Sequence, residues 1–307
     1  CEVYTDYRQI LQRKDIDIVI NATPSHLHVP ITLDLLNNGF NVLVDKPLAR
    51  GVEEVDKLIR ASEKSGRLLA IFQQSRFAPY YCQVKKVVDS GLLGRIIQVS
   101  IAFNGFARRW DWQCLQENNG GNLLNTGPHP LDQALQFFGT DRMPEIKCIM
   151  DRANTFGDAE DYVKLLLTGH NRPVIDIEIS SCCAYPCFTY HVQGTRGGLK
   201  GTESNIEWKY FISEEAPVQH LITTPICNSE GTPGYCTEKL NWHEERWKVP
   251  KEQADLFSVI ALRFYSMLYR SLAEDKPLEV TPREVRQQIA VIEECHRQNP
   301  LSKMEQF

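Results

Sequence analysis

Asn41-Val42-Leu43-Val44-Asp45-Lys46-Pro47-Leu48 reads as a short buried strand with an acid and an amine at its tip. Val42, Leu43 and Val44 supply the apolar, β-branched run, and Pro47 ends it. In an open parallel sheet, ligands bind beyond the carboxyl ends of the strands. A lysine there, backed by Asp45 and fixed by Pro47, is placed to meet a bound substrate. Taken alone, the two residues read equally as a surface Asp-Lys pair at a strand end, so their neighbours decide.

Before this stretch, residues 16–20 form a strand that turns at Asn21-Ala22-Thr23-Pro24, and Ser25 can cap a helix that runs to Gly39. After it, residues 52–65 place Val55, Leu58 and Ile59 on one helical face, with Gly66 as the stop, and residues 68–72 form another strand. Strand–helix–strand–helix–strand is the cadence of a parallel sheet with right-handed crossovers. A short helix is predicted over 4–13 and another over 79–90, and Gly94 marks a boundary. Beyond it, strands are predicted over 96–103, 145–152, 162–167, 174–180 and 188–193, with one helix over 130–138. Successive strands without helices between them predict a mainly antiparallel sheet. Residues 217–250 have no period and read as a long loop. Helices over 251–274 and 282–297 close the chain, the second opened by Thr281 as cap and Pro282 at its first position.

The 307 residues leave room for two domains, expected over 1–94 and 95–307, with the closing helices free to pack back on the first. A net charge of −5 gives no basic field for nucleic acid or an anionic membrane. No apolar run approaches the ~20 residues that cross a bilayer, and no signal peptide is visible. Ten cysteines without a C-x-x-C pair, Cys182, Cys183 and Cys187 the tightest cluster, predict buried or idle thiols in a reducing cytoplasm rather than a metal site or disulfides. The chain opens at Cys1, directly before a helix-like segment, which reads as part of a longer polypeptide.

Two stretches belong beside Lys46. Asn21 to His28 lies at the carboxyl end of the neighbouring strand, either as a simple strand stop or as part of a site. Gly120-Gly121 lets the backbone approach something closely, and Asn125, His129 and Asp132 follow at i, i+4, i+7 spacing. Pro128 and Pro130 predict that regular helix begins only after them. Arg108-Arg109-Trp110-Asp111-Trp112 is an aromatic–cationic loop, open either to a sugar face or to packing on the sheet.

These stretches together resemble the glucose–fructose oxidoreductase / inositol dehydrogenase / MocA (Gfo/Idh/MocA) family. Ala22 to His28 resembles its ATPN-x-x-H turn, and Asp45-Lys46-Pro47 its EKP. Arg76-Phe77-Ala78-Pro79 with Asp89 to Gly94 resembles its domain boundary, Gly120 to Asp132 its glycine-led helix start, and Gly194 to Gly198 its later G-T-x-G turn. The resemblance implies an α/β fold: a Rossmann parallel sheet, incomplete here because the family's G-x-G-x-x-G unit is expected upstream of Cys1, then an α+β domain with a large, mainly antiparallel open sheet that often forms a subunit interface. It implies NAD or NADP as cofactor, a sugar or cyclitol substrate, a homo-oligomer, and neither nucleic acid nor membrane as partner.

By motif matching, Lys46 and His129 are the expected proton-handling pair. An unperturbed lysine near pKa ~10.4 is a poor base, and burial beside a positive ring lowers it. Thr23, Pro24, His28, Asp45 and Lys46 fall on the cofactor side. Asn125, Asp132, Arg76, Arg109, Trp110 and Trp112 fall on the substrate side. Asn125 stands where the family usually has aspartate, and an amide takes no proton, so the base role shifts to Lys46 or His129. The same asparagine resembles members acting on a sugar 3-hydroxyl. The rivals are an NAD-retaining glycosidase of the same fold and a silent regulatory member.

Overall fold

A computed structural model describes residues 1–302. Strands β1 (Val19–Asn21), β2 (Val42–Val44) and β3 (Leu69–Ile71) form a parallel sheet in that order, with Val19 opposite Val42 and Val42 opposite Leu69. Every residue of the central β2 is buried, as its unbroken apolar run requires. Helices α1 (His28–Asn37) and α2 (Val52–Ser65) make the crossovers and pack together, and Gly66 at φ 65° ends α2. Ser25 does not cap α1. It opens a 3₁₀ turn, Ser25–Leu27, that runs straight into the helix without a side-chain cap. The helix expected over 4–13 is one 3₁₀ turn, Tyr7–Ile10, closed by an Asp6–Gln9 capping box.

Helix α3 (Pro79–Asp89) leads into an eight-stranded sheet. Its members are β4 (Ile96–Asn104), β5 (Glu145–Asp151), β6 (Tyr162–Thr168), β7 (Val174–Ser180), β8 (Tyr190–Gly194), β9 (Gly197–Gly201), β10 (Asn205–Tyr210) and β11 (His243–Lys248), in the order β11-β10-β9-β8-β4-β7-β6-β5. All neighbours are antiparallel except β4 and β7, which run parallel at the centre. The chain reaches β7 only after two helices and the β5–β6 pair, long enough for a crossover. The loop expected over 217–250 ends in β11, an edge strand paired, among the described residues, with β10 alone. Its composition, HEERWK, carries no apolar alternation because an edge strand is largely solvated, and charge there blunts edge-to-edge pairing.

One face of this sheet is covered by α5 (Pro128–Phe138), which buries Leu131, Leu135 and Phe138 against the strands. Before it stands α4 (Asn122–Asn125), a single turn. Helix α5 begins at Pro128 itself, not after Pro130, because a first-turn amide has no intrahelical acceptor and proline loses nothing there. Asn125 and His129 therefore belong to separate helices rather than to one face.

Helices α6 (Leu256–Ala273) and α7 (Pro282–Gln298) return to the first sheet. Phe264, Met267 and Leu268 of α6 close over Leu43 and Ala70. Helix α7 bridges both halves: Arg286 pairs with Asp56 of α2 at 2.5 Å, and Gln298 accepts from the Cys148 amide of β5 at 2.9 Å. Among the described residues no helix is long and apolar enough to cross a membrane, and all ten cysteines are free.

Candidate active site

The tips of β1 and β2 are tied to each other before any side chain of the site is placed. Asn21, buried at the end of β1, donates to the His28 carbonyl at 3.1 Å and to Thr32 Oγ1 at 3.0 Å, and accepts from Thr23 Oγ1 at 2.7 Å. The His28 ring lies between the two turns, Nε2 2.8 Å from the Thr23 carbonyl oxygen and Nδ1 2.8 Å from that of Pro47. His28 is 1% exposed with both ring nitrogens engaged. It therefore braces the cofactor-side turns and is not a surface a cofactor can touch, which corrects its expected role. Thr23 and Pro24 reach the surface beside it. Lys46-Pro47 is a cis peptide, and the Asp45 carboxylate accepts the Lys46 backbone amide at 2.8 Å. Asp45 thus supports Lys46 through the main chain.

From this turn the Lys46 side chain crosses to the second half. Its Nζ donates to both oxygens of Asn125, the carbonyl at 2.9 Å and Oδ1 at 3.2 Å. Burial, reinforced by the Arg109 charge and opposed by Asp45, lowers its pKa. A neutral amine that gives both N–H groups to Asn125 keeps its lone pair free; a charged one keeps a third N–H. His129, in the first turn of α5, is buried enough that its pKa falls to about 4, and the Lys46 charge pushes it the same way. Its buried Nδ1 has no partner among the described residues. The amine and the imidazole are thus near enough for the Lys46 charge to act on His129, each with hydrogen-bonding capacity unspent.

Beyond Asn125 a small crevice is walled by the loop before the glycines. Gln113 accepts from Asn125 Nδ2 at 3.3 Å and from the Arg109 guanidinium, which also holds Asp111 at 2.7 Å. Arg109, Gln113, Asn125 and Glu160 line one crevice. Trp110 is 79% exposed and stacks edge-on against Phe156, and Trp112 is also exposed; neither lines that crevice. The paired glycines approach the chain itself: a Cβ on Gly121, whose φ is 100°, would strike the Glu160 carboxylate.

Arg76 and Asp132 are not part of this wall. They form a buried two-point ion pair, Arg76 Nε donating to Asp132 Oδ2 at 2.9 Å, and Arg76 reaches on to Glu284 Oε1 at 3.1 Å and the Glu279 carbonyl at 2.8 Å. Their side chains are 10% and 3% exposed. The expectation that they bind substrate is corrected to a clasp joining the β3 tip, α5 and α7. Two contributors were invisible in the sequence, Gln113 and Glu160, because neither stands in a motif.

A parallel sheet whose strand tips meet a second, open-sheeted domain over a desolvated lysine is the architecture of a dinucleotide-dependent oxidoreductase. Residues 1–73 match the family model described as an oxidoreductase family with an NAD-binding Rossmann fold, and residues 81–200 match the GFO/IDH/MocA C-terminal domain. The chain belongs to the Gfo/Idh/MocA family. It is similar to an uncharacterized oxidoreductase of Schizosaccharomyces pombe, C115.03, 25% identical over 81% of this chain and 66% of the relative. It is also similar to the scyllo-inositol 2-dehydrogenase (NADP(+)) IolW of Bacillus subtilis, 28% identical over 54% of this chain and 46% of the relative. The chain therefore spans less than two thirds of these curated relatives. In fold it resembles an NAD-binding protein from Listeria innocua, TM-score 0.78 at 20% identity, covering 97% of this chain and 83% of that one.

Proposed function

We propose that this protein moves a hydride between NAD or NADP and a secondary alcohol of a sugar, sugar derivative or cyclitol, with Lys46 and His129 handling the hydroxyl proton. The observation that carries the reading is the coupling of two desolvated basic groups: a Lys46 amine gripped by Asn125 and a His129 imidazole whose Nδ1 has no partner among the described residues. A desolvated amine with an imidazole nearby suits a carbinol beside a nicotinamide, and the Thr23-Pro24 turn, Asp45 and Lys46 would line the cofactor's edge. The bound nicotinamide supplies the hydride acceptor or donor.

The chain's own residues then do the following. Asn125 fixes the Lys46 amine with two acceptors, so its remaining site faces a single direction. Burial lowers its pKa towards the range useful to a base, and proton transfer by a positioned base is typically worth ~10²–10⁴ in rate. His129, neutral above about pH 4, accepts or donates a hydrogen bond at the same hydroxyl without adding charge. Arg109 stands on the substrate side, and Asn125 is compatible with attack at a sugar 3-hydroxyl. The open face of the eight-stranded sheet is the surface we assign to a homo-oligomer, and ten free thiols suit a cytoplasmic setting.

The test is a reduction assay with both cofactors against a panel of sugars, nucleotide sugars and cyclitols. Cofactor-dependent oxidation of one class supports the reading. Sugar release without added cofactor would favour the NAD-retaining glycosidase instead, and no turnover of any class would favour a silent regulator.

A further inference from the structure

We propose that Glu160 is a positioning residue of this site: its buried carboxylate, bonded to the Leu123 amide, holds the single turn α4 and, through it, the two Asn125 oxygens that grip Lys46. The proposal rests on Lys46 as the working amine, and its test reads that amine directly rather than turnover.

Glu160 follows β5 and precedes β6, and its side chain is 1% exposed. Its Oε1 accepts the Leu123 N–H at 2.9 Å, and its main-chain oxygen accepts the Asn122 N–H at 2.9 Å, so one residue takes both leading amides of α4. Gly121 opens the turn at φ 100° and lies so close that any side chain there would strike the carboxylate. The Asn125 amide returns to the Gly121 carbonyl at 2.9 Å. The chain of contacts from Glu160 to Lys46 thus has one short, rigid link.

The carboxyl faces charge from several elements. His296 of α7 places Nε2 4.0 Å from Oε2, Arg50 and Asp161 act on it electrostatically, and Asp161 itself is engaged by the Ala153 and Asn154 amides at 2.7 Å each. Burial pushes Glu160 up to about 7; the Leu123 amide and Arg50 pull it back, and Asp161 adds to the rise. His296 is lowered to about 4 by burial and Arg50, so it stays neutral while Glu160 titrates. The ionised form makes a charge-assisted bond to Leu123, about twice as strong as the neutral one. Below neutrality that bond weakens and the hold on Asn125 with it.

A purely structural Glu160 would be replaced without loss by glutamine, which keeps the shape and the acceptor. The Leu123 amide is followed by NMR, and Lys46 by competitive acetylation, between about pH 5 and 9. In the unsubstituted protein the Leu123 resonance should shift with a midpoint near 7, and the Lys46 reactivity profile should step at the same midpoint. Glu160→Gln should abolish both. A Leu123 titration that survives in E160Q, or a Lys46 profile that overlays the unsubstituted one, overturns the proposal. If E160Q does not fold, the unsubstituted protein decides: a shared midpoint supports the link, and two separate midpoints overturn it.

Discussion

Breaking the Arg76–Asp132–Glu284 clasp should destabilise the protein without touching the chemistry. Arg76→Met removes the guanidinium that two carboxylates of 3% and 21% exposure share and frees the Glu279 carbonyl. Leaving a buried charge without its partner costs about 3–5 kcal/mol. Asp132→Asn is milder, because an amide oxygen still accepts from Arg76, and Glu284 stays in place. Losing the charged hydrogen bond there costs about 1.5–3 kcal/mol. Urea unfolding reads both, with an unchanged slope and a lower midpoint, Arg76→Met the lower. At a temperature where each variant remains folded, KM for the alcohol should match that of the unsubstituted protein. A normal midpoint with a raised KM would refute the clasp and return both residues to substrate binding.

Two further outcomes follow from the site. Asn125→Asp sets a carboxylate where Oδ1 now lies 3.2 Å from Lys46, which raises the amine's pKa. Its kcat–pH profile should lose activity at higher pH on the acid side, yet keep more turnover than His129→Ala; the reverse ranking would show that their roles are exchanged. His129 has a folded pKa of about 4 against ~6.5 unfolded, so its contribution is constant above pH ~6.5 and is lost as pH falls towards 4, where the unfolded chain takes the proton. His129→Gln should therefore lose about 2–3 kcal/mol less stability over that interval, and a pH dependence of unfolding identical to the unsubstituted protein would refute it.

The sequence made the first half of the fold readable because each crossover is punctuated: an apolar run, a turn residue, an amphipathic helix, Gly66. The Thr23 turn and Lys46 could be anticipated to meet because parallel topology sends both strand tips to one end of the sheet, whereas Asn125, on α4, is expected there only through the family resemblance. The clasp could not, since Arg76, Asp132 and Glu284 are joined only by tertiary packing, and a motif position says nothing about which way a guanidinium turns. The same holds for Glu160, one of 39 acidic residues, whose importance lies in being buried against a glycine 39 positions away. Strands β9 and β11 escaped because glycine and charge replaced the apolar alternation that marks a strand; β10 does alternate, with Ile206, Trp208 and Tyr210 on one face, and its signal was short and isolated between them.

The central claim, that the Lys46 amine handles the proton, is tested most directly by Lys46→Ala, measured for alcohol-dependent cofactor reduction and for cofactor affinity in parallel. A fall in kcat of about 10²–10⁴ or more with affinity nearly unchanged is the predicted result. Turnover close to that of the unsubstituted protein would contradict it.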